Sequence, residues 1–212
     1  MKRIIATAML LVLFLSGCST THIYVPTGDG LFQDEATQST SPSDTPQDQK
    51  MTLGYYPEKS LNPYTATELS HRLIFSLVYQ GLFAIDSNYN ASPILCQHYS
   101  VSKDMRTYVF YLADATFADG SSLTAEDVAA SLEAARTAPV YSGRLKEVAS
   151  ISATEDGGVA VVMKIPYENL PLLLDIPIVK ASETGAERPM GTGPYAYNMG
   201  TNSLQLKRRT NW

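Results

Sequence analysis

Phe117-Ala-Asp-Gly-Ser-Ser-Leu-Thr-Ala-Glu-Asp-Val128 is the most heavily punctuated stretch of the chain. Asp119-Gly120 specifies a tight turn, because an Asp side chain can close the backbone on itself. Thr124 then caps a helix, with Glu126 and Asp127 in the first turn, where the positive end of the helix dipole favours carboxylates. Val128, Leu132 and Ala135 give that helix an apolar inner face. Upstream, Tyr99-Ser-Val-Ser102 and Thr107-Tyr-Val-Phe-Tyr-Leu112 read as paired strands around Lys103-Asp104-Met105. Downstream, Ser150 to Glu155 and Val159 to Ile165 form a hairpin across Asp156-Gly157-Gly158. Hairpins stand beside helices and no strand–helix–strand succession occurs, so the fold class is α+β, a mixed α/β arrangement.

The folded texture begins at Met51. Thr52-Leu-Gly-Tyr-Tyr56 predicts a strand stopped by Pro57, and Leu61-Asn-Pro-Tyr64 a turn. Leu69, Leu73, Ile74, Leu77 and Val78 recur at spacings of three and four. They predict a helix from about Thr67 to Gln80, with Gly81 as its C-terminal cap. Leu82-Phe-Ala-Ile85 reads as a short strand and Ser142 to Val148 as a short helix. Leu170 to Leu174 is a short helix or turn, and Ile176 to Lys180 is extended. Gly191-Thr-Gly-Pro-Tyr195 leads into two last strands, Tyr195 to Met199 and Ser203 to Arg208.

The N-terminus carries an address. Lys2 and Arg3 precede an apolar run, Ile4 to Phe14, that ends in Leu15-Ser16-Gly17-Cys18. A run this short, with small residues at its end, reads as a secretory signal over 1–17 rather than a spanning helix. The Leu-Ser-Gly-Cys ending is similar to the bacterial lipobox, in which the Cys becomes the first mature residue and carries lipid. A plain cleaved signal beside a chance Cys is the bland alternative. Residues 18–50 are rich in Ser, Thr, Pro, Gln and Asp and read as a disordered tether. Removing Lys2 and Arg3 leaves 14 of the 16 Lys and Arg against 21 Asp and Glu, a charge near −7. That balance excludes a basic nucleic-acid-binding face. Cys96 has no second cysteine to pair with if Cys18 holds lipid, so a buried thiol is expected and no disulfide framework.

Chemistry is sparse. The three His are His22, His71 and His98, and no His or Cys spacing suits a metal, so neither metal nor cofactor is expected. Asp119 offers a carboxylate, but a turn residue explains it better. Glu126 and Asp127 are better explained as helix-start acids than as a metal pair. No enzyme is indicated. A lipid-anchored hydrolase would need a Ser or Cys within reach of His71 or His98.

Several segments in order resemble one family. Leu61-Asn-Pro-Tyr64 comes first, then Val78-Tyr-Gln-Gly-Leu-Phe83, Tyr108-Val-Phe-Tyr-Leu112, the Phe117 to Val128 stretch, Gly191-Thr-Gly-Pro-Tyr195 and Arg209-Thr-Asn-Trp212. Over Leu53 to Trp212 this is similar to the start of the extracytoplasmic solute-binding proteins, family 5, of peptide and nickel ABC importers. Two departures are mild: Ala118 in the Phe-x-Asp-Gly turn, and Ala113-Asp114-Ala115 where the family has a basic-Gly turn. The resemblance implies a type II periplasmic-binding-protein-like first lobe with a small inserted subdomain. It places that lobe at 51–212, divided into a subdomain over about 61–148 and a sheet subdomain over 149–212. The second lobe the family has after the Gly-Thr-Gly-Pro-Tyr strands is not in this sequence, so a truncated form is expected, with a one-lobed derivative as the alternative. The implied partners are a peptide or related small solute, ABC permease subunits, and a membrane through lipid on Cys18, with no nucleic acid. The implied location is extracytoplasmic. Thr67, Glu68 and Leu69 would lend backbone groups to the ligand and Tyr141 would face it. Helix capping and first-turn charge are alternatives for Thr67 and Glu68, and core packing for Tyr141. The competing function is a surface lipoprotein that binds a peptide signal or a protein without transport. Ligand identity stays open among peptide, nickel, haem and sugar.

Overall fold

Side chains alternate along the strands of the central sheet. In β4 (Thr107–Leu112) Tyr108 and Phe110 are buried, and in β6 (Val159–Met163) Val159, Val161 and Met163 are buried. That period of two lays one strand face on a core. The two strands pair antiparallel, Tyr108 opposite Val161 and Phe110 opposite Val159. β3 (Cys96–Val101) flanks β4 and β5 (Val148–Ala153) flanks β6, giving the order β3-β4-β6-β5. The computed structural model describes residues 52–198, 204–210 and 212. The expected signal over 1–17, Cys18 and the tether over 18–50 lie outside the described residues.

Two hairpins flank this sheet: β1 (Phe83–Ile85) with β2 (Ala91–Pro93), and β7 (Tyr195–Tyr197) with β8 (Leu206–Arg208). The last two strands are shorter than the sequence predicts. The resemblance also implies a subdomain boundary near 148, and the strand order differs from that. β4 pairs with β6, so one sheet crosses that point. Strand pairing is satisfied only by bringing segments about 50 residues apart edge to edge, which no local reading of periodicity registers.

Helix α2 (Ala125–Thr137) packs on β5 and β6. Val128, Leu132 and Ala135 are buried against that face, as their spacing predicts. Thr124 caps it reciprocally: its Oγ1 accepts from the Asp127 amide at 3.3 Å, and the Asp127 carboxylate accepts from the Thr124 amide at 3.0 Å. Such a cap stabilises by ~1 kcal/mol. The other Asp127 oxygen accepts from the Ala181 amide at 2.7 Å. Ser131 Oγ donates to Val179 O (3.1 Å) and accepts from Val179 N (3.0 Å). The polar side of α2 therefore holds the extended segment through Ile176 and Ile178, both fully buried.

The Leu61-Asn-Pro-Tyr64 turn is a long-range clasp. Asn62 is 2 % exposed, and its Nδ2 donates to the carbonyls of Thr184 (2.8 Å) and Ala186 (2.7 Å). Its Oδ1 accepts from the Tyr64 amide at 2.9 Å, and the Tyr64 hydroxyl donates to Pro177 O at 2.8 Å. Gly191 and Gly193 press against the end of α1 (His71–Val78). A Cβ on Gly191 would stand 2.2 Å from Val78 O and one on Gly193 2.6 Å from Leu77 O, so only glycine fits.

The same contact corrects the expected helix over 67–80. Val78 O accepts from Gly193 N at 2.9 Å instead of continuing the helix ladder. The helix begins only at His71, after a turn in which His71 N donates to Glu68 O, so Thr67 and Glu68 are neither its cap nor its first turn. Gly81 is no helix cap. Its missing side chain admits the backbone of Asp175, whose Cα would lie 3.0 Å from a Cβ there. Residues 52–56 form no strand, because the Tyr56 amide donates to the His71 imidazole at 3.2 Å. Ser142 to Glu147 is a run of turns, not a helix, and Val148 already opens β5.

Two substitutions test these contacts by urea denaturation. Asn62→Ala leaves two carbonyls and an amide without their partner and should cost about 3 kcal/mol. Gly191→Ala forces backbone apart and should cost ~1–3 kcal/mol. Both should lower the midpoint at unchanged slope.

Candidate functional site

A cleft of about 450 Å³ opens on the flank of α1. Arg72 and Phe75 reach it from the helix and Tyr79 from the residue after it. Tyr141 and Arg144 reach it from the turns after α2, and Asp175 from the extended segment. Each wall has a local cause. Ala138 precedes Pro139, which disfavours the helical region, and its backbone turns extended (φ −73°, ψ 135°), ending α2. The Tyr141 and Ser142 amides then both donate to Ala138 O, at 3.0 and 2.8 Å, which folds Tyr141 back toward α1. Tyr64 meets the Tyr141 ring edge-on at 6.4 Å between centroids.

Arg144 donates to Leu173 O at 2.9 Å and pairs with the Asp175 carboxylate. Its guanidinium stands 5.9 Å from the centre of the Tyr141 ring. Burial pushes the Tyr141 hydroxyl above its ordinary range, and the charges of Arg144 and Arg72 pull partly against that. Tyr79 is pushed up strongly by burial and stays neutral. Its hydroxyl donates to Pro189 O at 3.0 Å and lies 3.4 Å from that of Tyr197.

Of the residues expected from sequence, Tyr141 lines this cleft. Thr67, Glu68 and Leu69 do not, and Leu69 is 75 % exposed in the turn before α1. The amides of these three residues have no hydrogen-bond partner among the described residues. The sequence reading did not single out Arg72, Phe75, Tyr79, Arg144 or Asp175. Positions 72 and 75 share one face of α1 and Tyr79 follows its last residue, and a search for polar and aromatic residues beside the apolar stripe would have found these three.

Elsewhere the reactive side chains are committed to structure. A hollow of about 880 Å³ near β3 and β4 includes Arg209, whose two terminal guanidinium nitrogens are engaged while its buried Nε has no partner among the described residues. It donates to Thr192 O (2.9 Å), Gly193 O (3.2 Å), Thr116 Oγ1 (2.8 Å) and Phe117 O (2.9 Å). His71 is fully buried, with Nε2 accepting from Tyr56 N and Nδ1 3.1 Å from Ser60 O, which selects the neutral tautomer protonated at Nδ1. His98 stacks on Tyr111 at 4.6 Å. Among the described residues no Ser or Cys side chain bonds to either imidazole. Cys96 is buried, and burial pushes its thiol up to about 11. Asp119 closes its own turn by accepting from the Ser121 amide at 3.0 Å and pairs with Lys180. Among the described residues no group of three or more His, Cys, Asp or Glu could hold a metal ion. No helix among them is long and apolar enough to cross a membrane.

A sheet-and-helix lobe with a cleft on its flank is the architecture of the type II periplasmic binding proteins, and three comparisons agree. NikZ from Campylobacter jejuni, solved with Ni(L-His), superimposes with a TM-score of 0.60 at 22 % identity, covering 74 % of this chain and 34 % of that one. The oligopeptide-binding protein AppA from Bacillus subtilis, solved with a nonapeptide, gives 0.59 at 18 % identity, covering 71 % and 34 %. The glutathione-binding protein GsiB of Shigella flexneri is 30 % identical over 149 residues, 64 % of this chain and 29 % of that protein. The chain thus spans under a third of the length of the curated relatives it matches. Residues 90–212 match the family described as bacterial extracellular solute-binding proteins, family 5 Middle, and the chain belongs to that family.

The Asp119–Lys180 pair makes stability depend on pH. The Lys180 ammonium and the Ser121 donors hold the Asp119 carboxyl well below the usual carboxylate range. Its contribution is therefore present above the unfolded value of about 3.9 and is lost as pH falls through the folded one. Asp119→Asn should lower the melting temperature at pH 7. Calorimetry at successively lower pH should show the gap to the wild type narrowing below about pH 4.

Proposed function

We propose that this chain belongs to the solute-capturing component of an ABC importer, which takes a peptide or related small solute outside the cytoplasm and delivers it to the permease. The observation that carries the reading is the family match over residues 90–212, on a lobe whose flank holds an aromatic and cationic cleft. Capture of this kind is a population shift: a bound solute favours the closed form only by contacts the open form lacks. Tyr141 is the lobe's contribution from the turns after α2. The unpaired amides of Thr67, Glu68 and Leu69 are available to an extended ligand as an added strand would use them.

The rest of the reading concerns where the chain works. Leu15-Ser16-Gly17 before Cys18 supports lipid attachment at Cys18, with 18–50 as a spacer. An anchor in the permease's own membrane raises the effective concentration of receptor at its docking site. The role is binding without catalysis, and the solutes of these relatives (glutathione, a nonapeptide, Ni(L-His)) set the first probes.

Isothermal titration of the protein with glutathione and a panel of two- to five-residue peptides should give saturable binding for at least one member. That member should raise the melting temperature. Heat-silent titrations across the whole panel would sink the reading. For the anchor, Cys18→Ser should abolish incorporation of labelled palmitate and move the protein from the membrane fraction to the soluble one. Labelling that survives the substitution would refute lipidation at Cys18.

A further inference from the structure

The cleft beside α1 carries an excess positive charge in a chain whose net charge is −5. Its lining holds two guanidinium groups, Arg72 and Arg144, against one carboxylate, Asp175. Arg144 and Asp175 are spent on each other, and Arg144 is further fixed by Leu173 O at 2.9 Å. Arg72 is different. Its side chain is exposed, and among the described residues no carboxylate lies within ion-pair distance of it. Glu68 stands four residues earlier, a spacing that pairs charges on a helix. It precedes the first residue of α1 and makes no pair with Arg72.

The surroundings of Arg72 suit a particular guest. The Tyr141 hydroxyl has no hydrogen-bond partner among the described residues, so a donor stands free in the same lining. Phe75 and Tyr79 add two rings, tilted at 58° with centroids 5.7 Å apart. A guanidinium presents a rigid planar fork that matches a carboxylate in two parallel hydrogen bonds. One unbalanced positive charge matches one carboxylate and leaves half of a dianionic phosphate uncompensated. A concave site with an apolar wall and a few convergent polar groups is built to orient a small molecule, not merely to attract ions.

We propose that Arg72 sets the specificity of this cleft, and that the solute it selects carries a free carboxylate, held by the Arg72 fork and the Tyr141 hydroxyl with the solute's body against Phe75 and Tyr79. This rests on the capture reading and narrows its solute class. Arg144 is a positioning residue: tied to Asp175 and Leu173, it holds the Tyr141 ring from its face and lends no net charge. Loss of Arg72 should cost the protein nothing in folding, since the side chain is exposed and unpaired.

The test compares each peptide of the panel as free acid and as C-terminal amide, by isothermal titration against wild type, Arg72→Gln and Arg72→Lys. Wild type should bind the acid at least about tenfold tighter than the amide, the span expected of a charge-assisted pair. Arg72→Gln should erase that preference by weakening the acid alone, with the melting temperature of the free protein unchanged. Arg72→Lys should keep part of the preference, because it keeps the charge and loses the fork. Equal binding of acid and amide by wild type overturns the inference while leaving solute capture intact. A preference that persists in Arg72→Gln does the same. No binding of either form by any panel member removes the capture reading and this inference with it.

Discussion

The carbonyl of Val78 is the point on which the lobe turns. It is where α1 stops, because the oxygen that would have continued the ladder is bonded to Gly193. Only glycine at 191 and 193 lets the two backbones come that close. Once they have, the carbonyls of Thr192 and Gly193 face Arg209, which also holds Thr116 and Phe117. One backbone hydrogen bond at the end of an eight-residue helix thereby joins the first helix, the turn before α2 and the last hairpin. Arg209 carries its charge into a place it half shares with solvent-poor surroundings, and burial lowers its affinity for the proton. Four acceptors offset that cost.

The elements made by short-range rules were legible. The Thr124 cap, the Val128–Leu132–Ala135 face and the hairpin of β5 and β6 each need only residues close in sequence. What was not legible is where local rules yield to distant partners. Thr67 and Glu68 read in sequence as a capping residue and a first-turn acid and still lie outside α1. Tyr56 sits in a strand-like stretch whose amide bonds to an imidazole instead of a strand. The resemblance implies separate subdomains over about 61–148 and 149–212, yet β4 and β6 are neighbours. The sequence reads Asn62 as part of a turn, and Gly191 and Gly193 as the lead into the last two strands. Asn62, Gly191 and Gly193 turn out to do their work across 100 or more residues of chain, which a pattern on a page does not display.

The cleft divides the same way. Tyr141 was reached through resemblance and does line it. Its companions come from three places in the sequence, and none is conspicuous alone: Arg72 is one basic residue on a helix, and Arg144 and Asp175 lie in turns and extended chain. They converge because α2 ends before Pro139 and because Ser131 and Asp127 hold the 175–181 segment alongside. The site is thus a by-product of how the polar side of α2 is satisfied. Burying those backbone groups against α2 places Asp175 where it can steady Arg144, and leaves Arg72 with its charge unanswered.

His71 offers a different kind of consequence. Its imidazole sits fully buried between Tyr55, Tyr56 and Phe75, with one nitrogen on the Tyr56 amide and the other beside Ser60 O. Residues 52–60 carry no ladder of their own, so this ring is the rivet that fixes them to α1. Force applied along the chain from its N-terminal side would reach the lobe through that rivet before it reached any strand. Tension would therefore reach α1 through the His71 ring, helped only by the Leu53 and Tyr55 side chains packed on the core.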